Sequence, residues 1–284
     1  MSILTSTNPA LLAPEDVRKL LVKPVEKASV AMQVSTIDIV AGHDVRYPII
    51  TADPAVNWTR EGEEITPADL STDEVKISLS KAAGLTIVSR ELVEDANENA
   101  IEQIGRALVR QISQTIDKAY FSKQAAPAPQ GVASASGLNE INTSGALTNL
   151  DPFEEALVHA ETTGETVGAF VANSKTVLAI SQLKESTTSQ RGLLQADATT
   201  QTTRSVHGVP LLACDHIADN TIFAIPRNAS HIANLTGANN SQRGAEIIAD
   251  NSAYFSSDRV AVRGIMRIGF AITHPESISK ITIK

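Results

Sequence analysis

The stretches DVRYPIITA, at residues 44–52, and STDEVKISLSKAAGLTIV, at residues 71–88, decide the fold of this chain. Apolar side chains occupy every second position over residues 45–49 and again over residues 75–79. Because successive side chains of a strand point to opposite faces, this period of two predicts two half-buried strands. The charged run REGEE lies between them at residues 60–64. The pattern therefore predicts a long two-stranded hairpin with an acidic tip.

A hairpin of this length needs support from another surface. Two strands offer too little face to bury and are only marginally stable alone in water. A partner molecule is the simplest source of that support. The small residues Ala82, Ala83 and Gly84 interrupt the second strand. We expect the strand to bend there, or to be approached closely by other parts of the backbone.

A long helix is predicted directly after the hairpin. Ser89 stands at the expected N-cap, and Glu91, Glu94 and Asp95 place negative charge near the positive end of the helix dipole. Apolar residues then recur at steps of three and four, which predicts one buried stripe. These residues are Ile101, Ile104, Leu108, Ile112, Ile116 and Ala119.

Residues 1–43 are predicted to form an extended arm, with one short helix at residues 15–22. Such an arm is ordered only where another surface holds it. Its apolar residues indicate that one does, and a neighbouring subunit is a candidate for that surface. They are Val25, Val30, Met32, Val34 and Ile37.

The second half of the chain mixes helix and strand patterns, which predicts an α/β unit. Asp151 is predicted to cap a helix over residues 152–162, and Ser174 a helix that ends at Glu185. The loop at residues 186–205 is long enough to indicate a role in function or assembly. Strands are predicted at residues 169–172, 209–213, 221–225, 231–235, 254–273 and 278–283.

Composition excludes several classes of protein. A net charge of −8 argues against a general nucleic-acid coat, since neutralising phosphates needs an excess of Lys and Arg. A shell that encloses DNA without gripping it remains allowed. The single cysteine, Cys214, cannot form an intrachain disulfide and favours a reducing compartment. Neither a signal peptide nor a membrane-spanning run is predicted.

No constellation of residues predicts catalysis. The six histidines lack the spacing of metal ligands, and no phosphate-binding glycine loop or nucleophile elbow occurs. Cys214 and His216 are expected on one strand face, which leaves a hydrolase or transferase as a rival hypothesis. A small buried thiol is far commoner than a nucleophile. We therefore predict no catalytic residue, no cofactor and no metal ion.

Several motifs resemble the tailed-phage major capsid family with the Hong Kong 97 fold. LTIVSRELVED, at residues 85–95, resembles the family's passage from the extended loop into the spine helix. ISQTIDKAYF, at residues 112–121, resembles the end of that helix. FVANSKTVLAISQLK, at residues 170–184, is similar to a strand and helix of the axial domain. DRVAVRGIMRIGFAITHP, at residues 258–275, resembles the closing strand of the peripheral domain.

The resemblance implies an α+β, Hong Kong 97-type phage capsid fold. It implies an N-terminal arm (1–43), an extended β-hairpin loop (44–88), a spine helix of the peripheral domain (89–131), an α/β axial domain (132–237), peripheral-domain strands (238–272) and a return to the axial domain (273–284). The implied function is a major capsid protein that self-assembles as hexamers and pentamers into the icosahedral head of a tailed phage, around double-stranded DNA. An encapsulin-type nanocompartment shell is the alternative.

The same resemblance implies partners. The family's founding member carries a scaffolding segment ahead of the arm, whereas this chain begins at Met1 with the arm alone. A separate scaffolding protein, or none, is therefore implied, together with a portal, possible decoration proteins and non-specific contact with packaged DNA. No membrane partner is expected. Assembly in the cytoplasm of the bacterial host and a final place in the virion capsid follow.

Three arginines of the closing strand, Arg259, Arg263 and Arg267, fall on one predicted strand face. Either acidic residues of the same chain pair with them, or they receive the hairpin tip of a neighbouring subunit. The candidates for this intersubunit contact are Arg60, Glu61, Glu63, Glu64, Arg259, Arg263 and Arg267. In the founding member a lysine of the loop is joined covalently to another subunit. Lys76 and Lys81 are the corresponding candidates, and ordinary surface lysines are the alternative.

Overall fold

The computed structural model describes residues 23–52, 54, 56–62, 64, 67, 69, 71–89, 91, 99–143, 145–185, 192–194, 204–235, 245–250 and 252–284. Its helices are α1 (Lys23–Ala28), α2 (Val30–Val34), α3 (Asn99–Phe121), α4 (Asp151–Thr162) and α5 (Ser174–Ser181). Its strands are β1 (Thr36–Val40), β2 (Asp44–Ala52), β3 (Ser71–Ser78), β4 (Ser80–Ser89), β5 (Asn139–Asn142), β6 (Val167–Ala172), β7 (Ser205–Val206), β8 (Val209–Ala213), β9 (Thr221–Pro226), β10 (Ser230–Leu235), β11 (Ala245–Asp250), β12 (Arg259–Ile272) and β13 (Ser279–Thr282).

The large sheet contains β1, β10, β12 and β11 in that order, and β4 also pairs with β12. The long helix α3 packs across one face of this sheet. A Cβ at Gly84 would lie 3.1 Å from Leu108 Cδ2, and a Cβ at Gly264 would lie 3.5 Å from Ile112 Cδ1. The two glycines therefore bring helix and sheet close together, as expected for glycine within a strand.

The second sheet orders its strands β5, β13, β9, β6, β8 and β7. Every residue of its central strand β9 is buried, which matches an uninterrupted apolar run. Helices α4 and α5 cover it. Phe153 of α4 meets Phe170 of β6 edge to face, with ring centroids 5.0 Å apart. This geometry is the one that aromatic pairs prefer in a core.

The arm predicted at residues 1–43 is folded from Lys23 onward and packs on its own chain. Val25, Ala31, Met32 and Val34 are buried in the core that also contains the inner side of α3. Strand β1 then pairs in parallel with β10. The surface that holds this part of the arm is thus intramolecular, and a neighbouring subunit is not needed for it. The predicted helix at residues 15–22 lies outside the described residues.

A buried carboxylate joins the arm to the long helix. Asp117 accepts hydrogen bonds from Ser29 Oγ at 2.6 Å, from the Ala31 amide at 2.9 Å and from the Val30 amide at 3.2 Å. Burial raises the pKa of the Asp117 carboxyl, and these three hydrogen bonds oppose the rise. Asp117 therefore ties the start of α2 to α3.

The second strand of the predicted hairpin differs from the expectation in one respect. The strand is interrupted at Leu79. Residues 80–89 form a separate strand, β4, which pairs along its whole length with β12. Ala82, Ala83 and Gly84 do not interrupt this strand. Gly84 provides the close approach that was expected there, although its neighbour is the side chain of Leu108 and not other backbone.

The long helix is confirmed over Asn99–Phe121. Leu108, Ile112, Ile116 and Ala119 of the predicted stripe are buried. Ser89 is the last residue of β4, and most of the predicted first turns, residues 92–98, lie outside the described residues.

Both predicted caps in the second half are displaced by one residue. Leu150 stands at the N-cap of α4, so Asp151 is its first helical residue. Asn173 caps α5 through a bond from the Lys175 amide, and that helix ends at Ser181 instead of Glu185.

Several strand pairings cross the predicted domain division. Strand β10 falls in the range 132–237 predicted for the axial domain, yet it pairs with β12 and β1 in the sheet that carries α3. The strand itself was predicted correctly, but the local sequence pattern does not show which strands it pairs with. The six-part division stays a prediction, and β1 and β4, from the ranges predicted for the arm and the loop, join the same sheet as β10.

Replacing Asp117 with alanine should destabilise the unassembled subunit. Two backbone amides and the Ser29 hydroxyl would lose their buried acceptor, at a cost on the order of 3 kcal/mol. Urea unfolding measures the loss, and proteolysis within residues 23–34 should accelerate with it. Gln114→Ala, at an exposed position on the same helix, is the control. An unchanged unfolding midpoint for Asp117→Ala would contradict the assigned role.

The pH dependence of stability should distinguish Asp117 from asparagine. A carboxyl whose folded pKa is raised favours the folded state most at low pH. As the pH rises from the unfolded value of about 3.9 through the raised folded value, the wild-type chain should lose stability relative to Asp117→Asn. Urea midpoints of both chains, compared across this range, test the sign. If the difference between the two urea midpoints does not change with pH, the pKa of Asp117 is not raised in the folded state.

Candidate functional site: the hairpin and the outer face of the large sheet

The face of the large sheet opposite α3 carries the predicted arginines. Gly264 faces the helix, so residues one position away on β12 point outward. Arg259 and Arg263 are exposed and Arg267 is half-buried on this outer side. The structure thus confirms that the three arginines share one face. Arg263 and Arg267 also have interaction partners within the chain.

Apolar side chains stand beside these arginines. Leu85 of β4 is directly opposite Arg263, and Ile87 is opposite Ala261. Leu85 is 60% exposed and Ile87 is 41% exposed. We call the surface formed by Leu85, Ile87, Arg259, Arg263 and Arg267 the outer face. It mixes exposed apolar area with positive charge, a combination typical of surfaces that bind another protein.

The base of the hairpin is fastened to the same sheet. The Tyr47 hydroxyl donates to Asp38 Oδ2 over 3.0 Å, and His231 Nδ1 lies 2.8 Å from the same oxygen. The Tyr47 and His231 rings stand 5.1 Å apart. Burial, followed by the hydrogen bond to Asp38, raises the pKa of Tyr47. Strands β2, β1 and β10 are therefore joined through one carboxylate.

Close packing over a glycine completes this attachment. A Cβ at Gly269 of β12 would lie 2.9 Å from Leu79 Cδ2 and 3.3 Å from Ile77 Cδ1. A side chain at position 269 would collide with Leu79 and Ile77, and their side chains would have to shift to make room for it. The chain itself thus supports the base of the hairpin, where the sequence favoured a partner molecule.

Among the described residues, none covers the tip of the hairpin in this way. Trp58 is 106% exposed and Val56 is 91% exposed, and Glu61 and Glu64 are exposed beside them. Arg60 is exposed and interacts within the chain. The predicted contact residue Glu63 lies outside the described residues. Strand β3 spans roughly 23 Å at about 3.3 Å per residue, so it separates the tip from the base.

The two candidate lysines occupy different places. Lys76 Nζ on β3 lies 2.7 Å from Glu74 Oε1, a carboxylate that Arg46 also contacts at 3.2 Å. The hydrogen bond to Glu74 raises the pKa of Lys76 and keeps the amine protonated, which opposes nucleophilic attack. Lys81 is exposed on β4, opposite Arg267.

The surroundings of Cys214 are those of a buried structural residue and not of a nucleophile. It lies after the end of β8, and His216 follows in a turn, so the two do not share a strand face as predicted. The side chain is buried, and burial raises the pKa of the thiol to about 12. A thiol held protonated in this way is a poor nucleophile.

Two further features concern only the part of the chain that the structure describes. No helix there is long and apolar enough to cross a membrane. The same ranges hold no group of three His, Cys, Asp or Glu side chains placed to bind a metal ion.

The sequence had not singled out Asp38, Tyr47, His231 or Gly269. Asp38 lies within the run TIDIV, where a lone acid between apolar residues was a possible signal. Nothing in the sequence paired it with residues from two other strands.

Comparison with known proteins agrees with this architecture. The model of the phage capsid family matches residues 10–283. No curated protein matches the chain. The solved capsid of an empty GTA particle has a TM-score of 0.70 at 16% identity, with 100% of this chain and 94% of that chain covered. A chain from Microbacterium phage Oxtober96 has a TM-score of 0.71 at 15% identity, covering 90% and 91%. A chain from Mycobacterium phage Bobi has a TM-score of 0.69 at 12% identity, again covering 90% and 91%.

The two packed sheets, the long helix and the outlying hairpin are an α+β, Hong Kong 97-type capsid fold. The chain belongs to the phage capsid family. It is accordingly a major capsid protein, a structural component that forms the head shell of a tailed phage.

Tyr47→Phe should loosen the hairpin without unfolding the subunit. The loss of one hydrogen bond to Asp38 costs about 1 kcal/mol, which corresponds to about five-fold faster hydrogen exchange in β2 and β3. Hydrogen exchange by mass spectrometry measures this, with β9 as an internal reference. Thr72→Ala, on the exposed part of β3, is the control. Unchanged exchange in β2 would show that Asp38 does not hold the hairpin.

Denatured shells should give a single band at the mass of the monomer on an SDS gel. Lys76 is paired with Glu74, and both lysines are ordinary exposed surface residues, so we expect no covalent joining of subunits. A ladder of higher bands that is lost in Lys76→Arg or Lys81→Arg would contradict this expectation and identify the lysine.

Proposed function

We propose that this chain self-assembles as hexamers and pentamers into the icosahedral head of a tailed phage, around double-stranded DNA. Membership of the phage capsid family supports a shell of many copies. The observation that carries the proposal is the hairpin, whose base is fixed on its own sheet while its apolar and acidic tip is exposed. Such a tip buries its surface only against another molecule.

The proposed function lies in extended contacts between subunits and not in an active site. Homo-oligomers with closed symmetry repeat one contact many times, so modest contacts add up to a stable shell. The buried, protonated Cys214 supports a role without catalysis. A net charge of −8 supports a shell that encloses DNA and contacts it non-specifically.

Other components complete the proposed assembly. A separate scaffolding protein, a portal and, where the head carries them, decoration proteins are proposed as partners, and the host cytoplasm is proposed as the place of assembly. The single buried free cysteine is compatible with that reducing compartment. Shells that contain DNA support the phage head, whereas a copurifying enzyme cargo would favour the encapsulin alternative.

The proposed contact joins the hairpin tip of one subunit to the outer face of the next. Glu61 and Glu64 supply the negative charge of the tip, and Arg259, Arg263 and Arg267 supply the positive charge of the outer face. Leu85 and Ile87 add apolar area between the arginines. Electrostatic complementarity of this kind fixes register and speeds association more than it adds affinity.

Arg263→Glu should prevent normal shells, because like charges would then meet at the centre of the contact. Negative-stain microscopy of the recombinant protein scores uniform icosahedral shells against aggregates or free subunits. Glu61→Arg together with Glu64→Arg should restore assembly of Arg263→Glu. Arg204→Glu, at an exposed position just before β7, is the control and should assemble. Normal shells from Arg263→Glu, or no rescue by the double change, would refute this pairing.

A further inference from the structure

A groove opens where the end of α3, the loop that follows α3 and the start of β4 meet. Its volume is about 350 Å³. The buried side chains of Ile116, Ala119 and Ile268 form its floor, and Pro127 forms one wall. Lys81 and Lys118 stand at its rim. This size is at the small end of ligand clefts, so it suits one large side chain.

The rim of the groove is positively charged. Neither Lys81 nor Lys118 has an ion-pair partner within the described part of the chain. Lys81 also stands opposite Arg267 on the outer face, while the floor of the groove lies on the α3 side of the sheet, so β4 separates the groove from the row of arginines. An occupant that combines an aromatic ring with nearby carboxylates would match both features.

The geometry points to Trp58 of a second copy of this chain as the occupant of the groove. This inference rests on the proposed assembly and names the residue that anchors the hairpin tip. Trp58 is the one tryptophan of the sequence and is fully exposed in a single subunit. Its own groove therefore does not bind it. Tryptophan is enriched among the few residues that carry most of the binding energy of protein interfaces.

Each part of an indole has a counterpart in the groove. The ring would cover the apolar floor, and an ammonium group over its face adds a cation–π interaction. The indole N–H needs an acceptor once it is buried. Thr115 offers one, since its hydroxyl donates to the Gln111 carbonyl at 2.7 Å and keeps its lone pairs for an incoming donor.

The acidic residues of the tip agree with this placement. Glu61 lies three residues after Trp58, so it would reach the rim when the ring is in the groove. There Lys81 and Arg267 stand side by side on neighbouring strands. One anchor and one row of opposite charges would then set the register of the tip on its neighbour.

The fluorescence of Trp58 reports directly on whether its side chain is buried. In the assembled wild-type shell, its emission should move to shorter wavelength and acrylamide should quench it less than in the unassembled subunit. Ala125→Glu places a carboxylate in the groove from an exposed position, and Ala126→Glu makes the same change beside it. Ala125→Glu should raise the subunit concentration needed for assembly about 30-fold, as for the loss of an anchor residue, and Ala126→Glu should not.

Lys118→Ala provides a milder second variant. Losing a cation–π contact should raise the required concentration about three-fold, with circular dichroism of the subunit unchanged. If wild-type shells form while Trp58 stays as quenchable as before, the inference is overturned and the shell function stands. The same follows if Ala125→Glu and Lys118→Ala both assemble like wild type. Absence of shells from the wild-type chain would overturn the proposed function together with this inference.

Discussion

The burial of α3 on two sides is the constraint on which the rest of the structure depends. One side of the helix packs on the large sheet, where Gly84 and Gly264 allow close contact. The other side holds the arm through the Asp117 carboxylate. Near the C-terminal end of the helix, Tyr120 contacts Ser230 at 2.6 Å in a buried hydroxyl cluster with Ser35. Arm, helix and sheet therefore form one core.

The hairpin combines a fixed base with an uncovered tip. Tyr47, Asp38 and His231 orient the base, and Gly269 lets it lie close on β12. The tip then extends beyond its own core, and no residue that the structure describes buries Trp58 there. Because the fixed base already sets the direction of the hairpin, less conformational entropy is lost when the exposed tip binds another molecule. This division of roles suits a subunit that meets many identical copies.

Surface charge follows the same division. Acidic residues dominate the chain as a whole, yet basic residues gather on the outer face and at the groove beside α3. Repulsion between whole subunits is weak beyond about 8 Å at physiological ionic strength, whereas charges in contact are screened much less. A net negative subunit can therefore associate through a local match of opposite charge. In the proposed contact, the attraction between the acidic tip and the basic outer face therefore outweighs the screened repulsion between whole subunits.

The sequence by itself determined the hairpin, the long helix, most strands of the second half and the order of elements typical of the capsid family. Those features depend on periodicities of two and 3.6 residues, which are local. The tertiary structure alone decided that the arm packs on α3, that β10 joins the large sheet and that Asp38 meets Tyr47 and His231. It also formed the groove from β4, α3 and the loop after it. Such contacts join residues far apart in the chain, and many sequences with the same local pattern could pair differently.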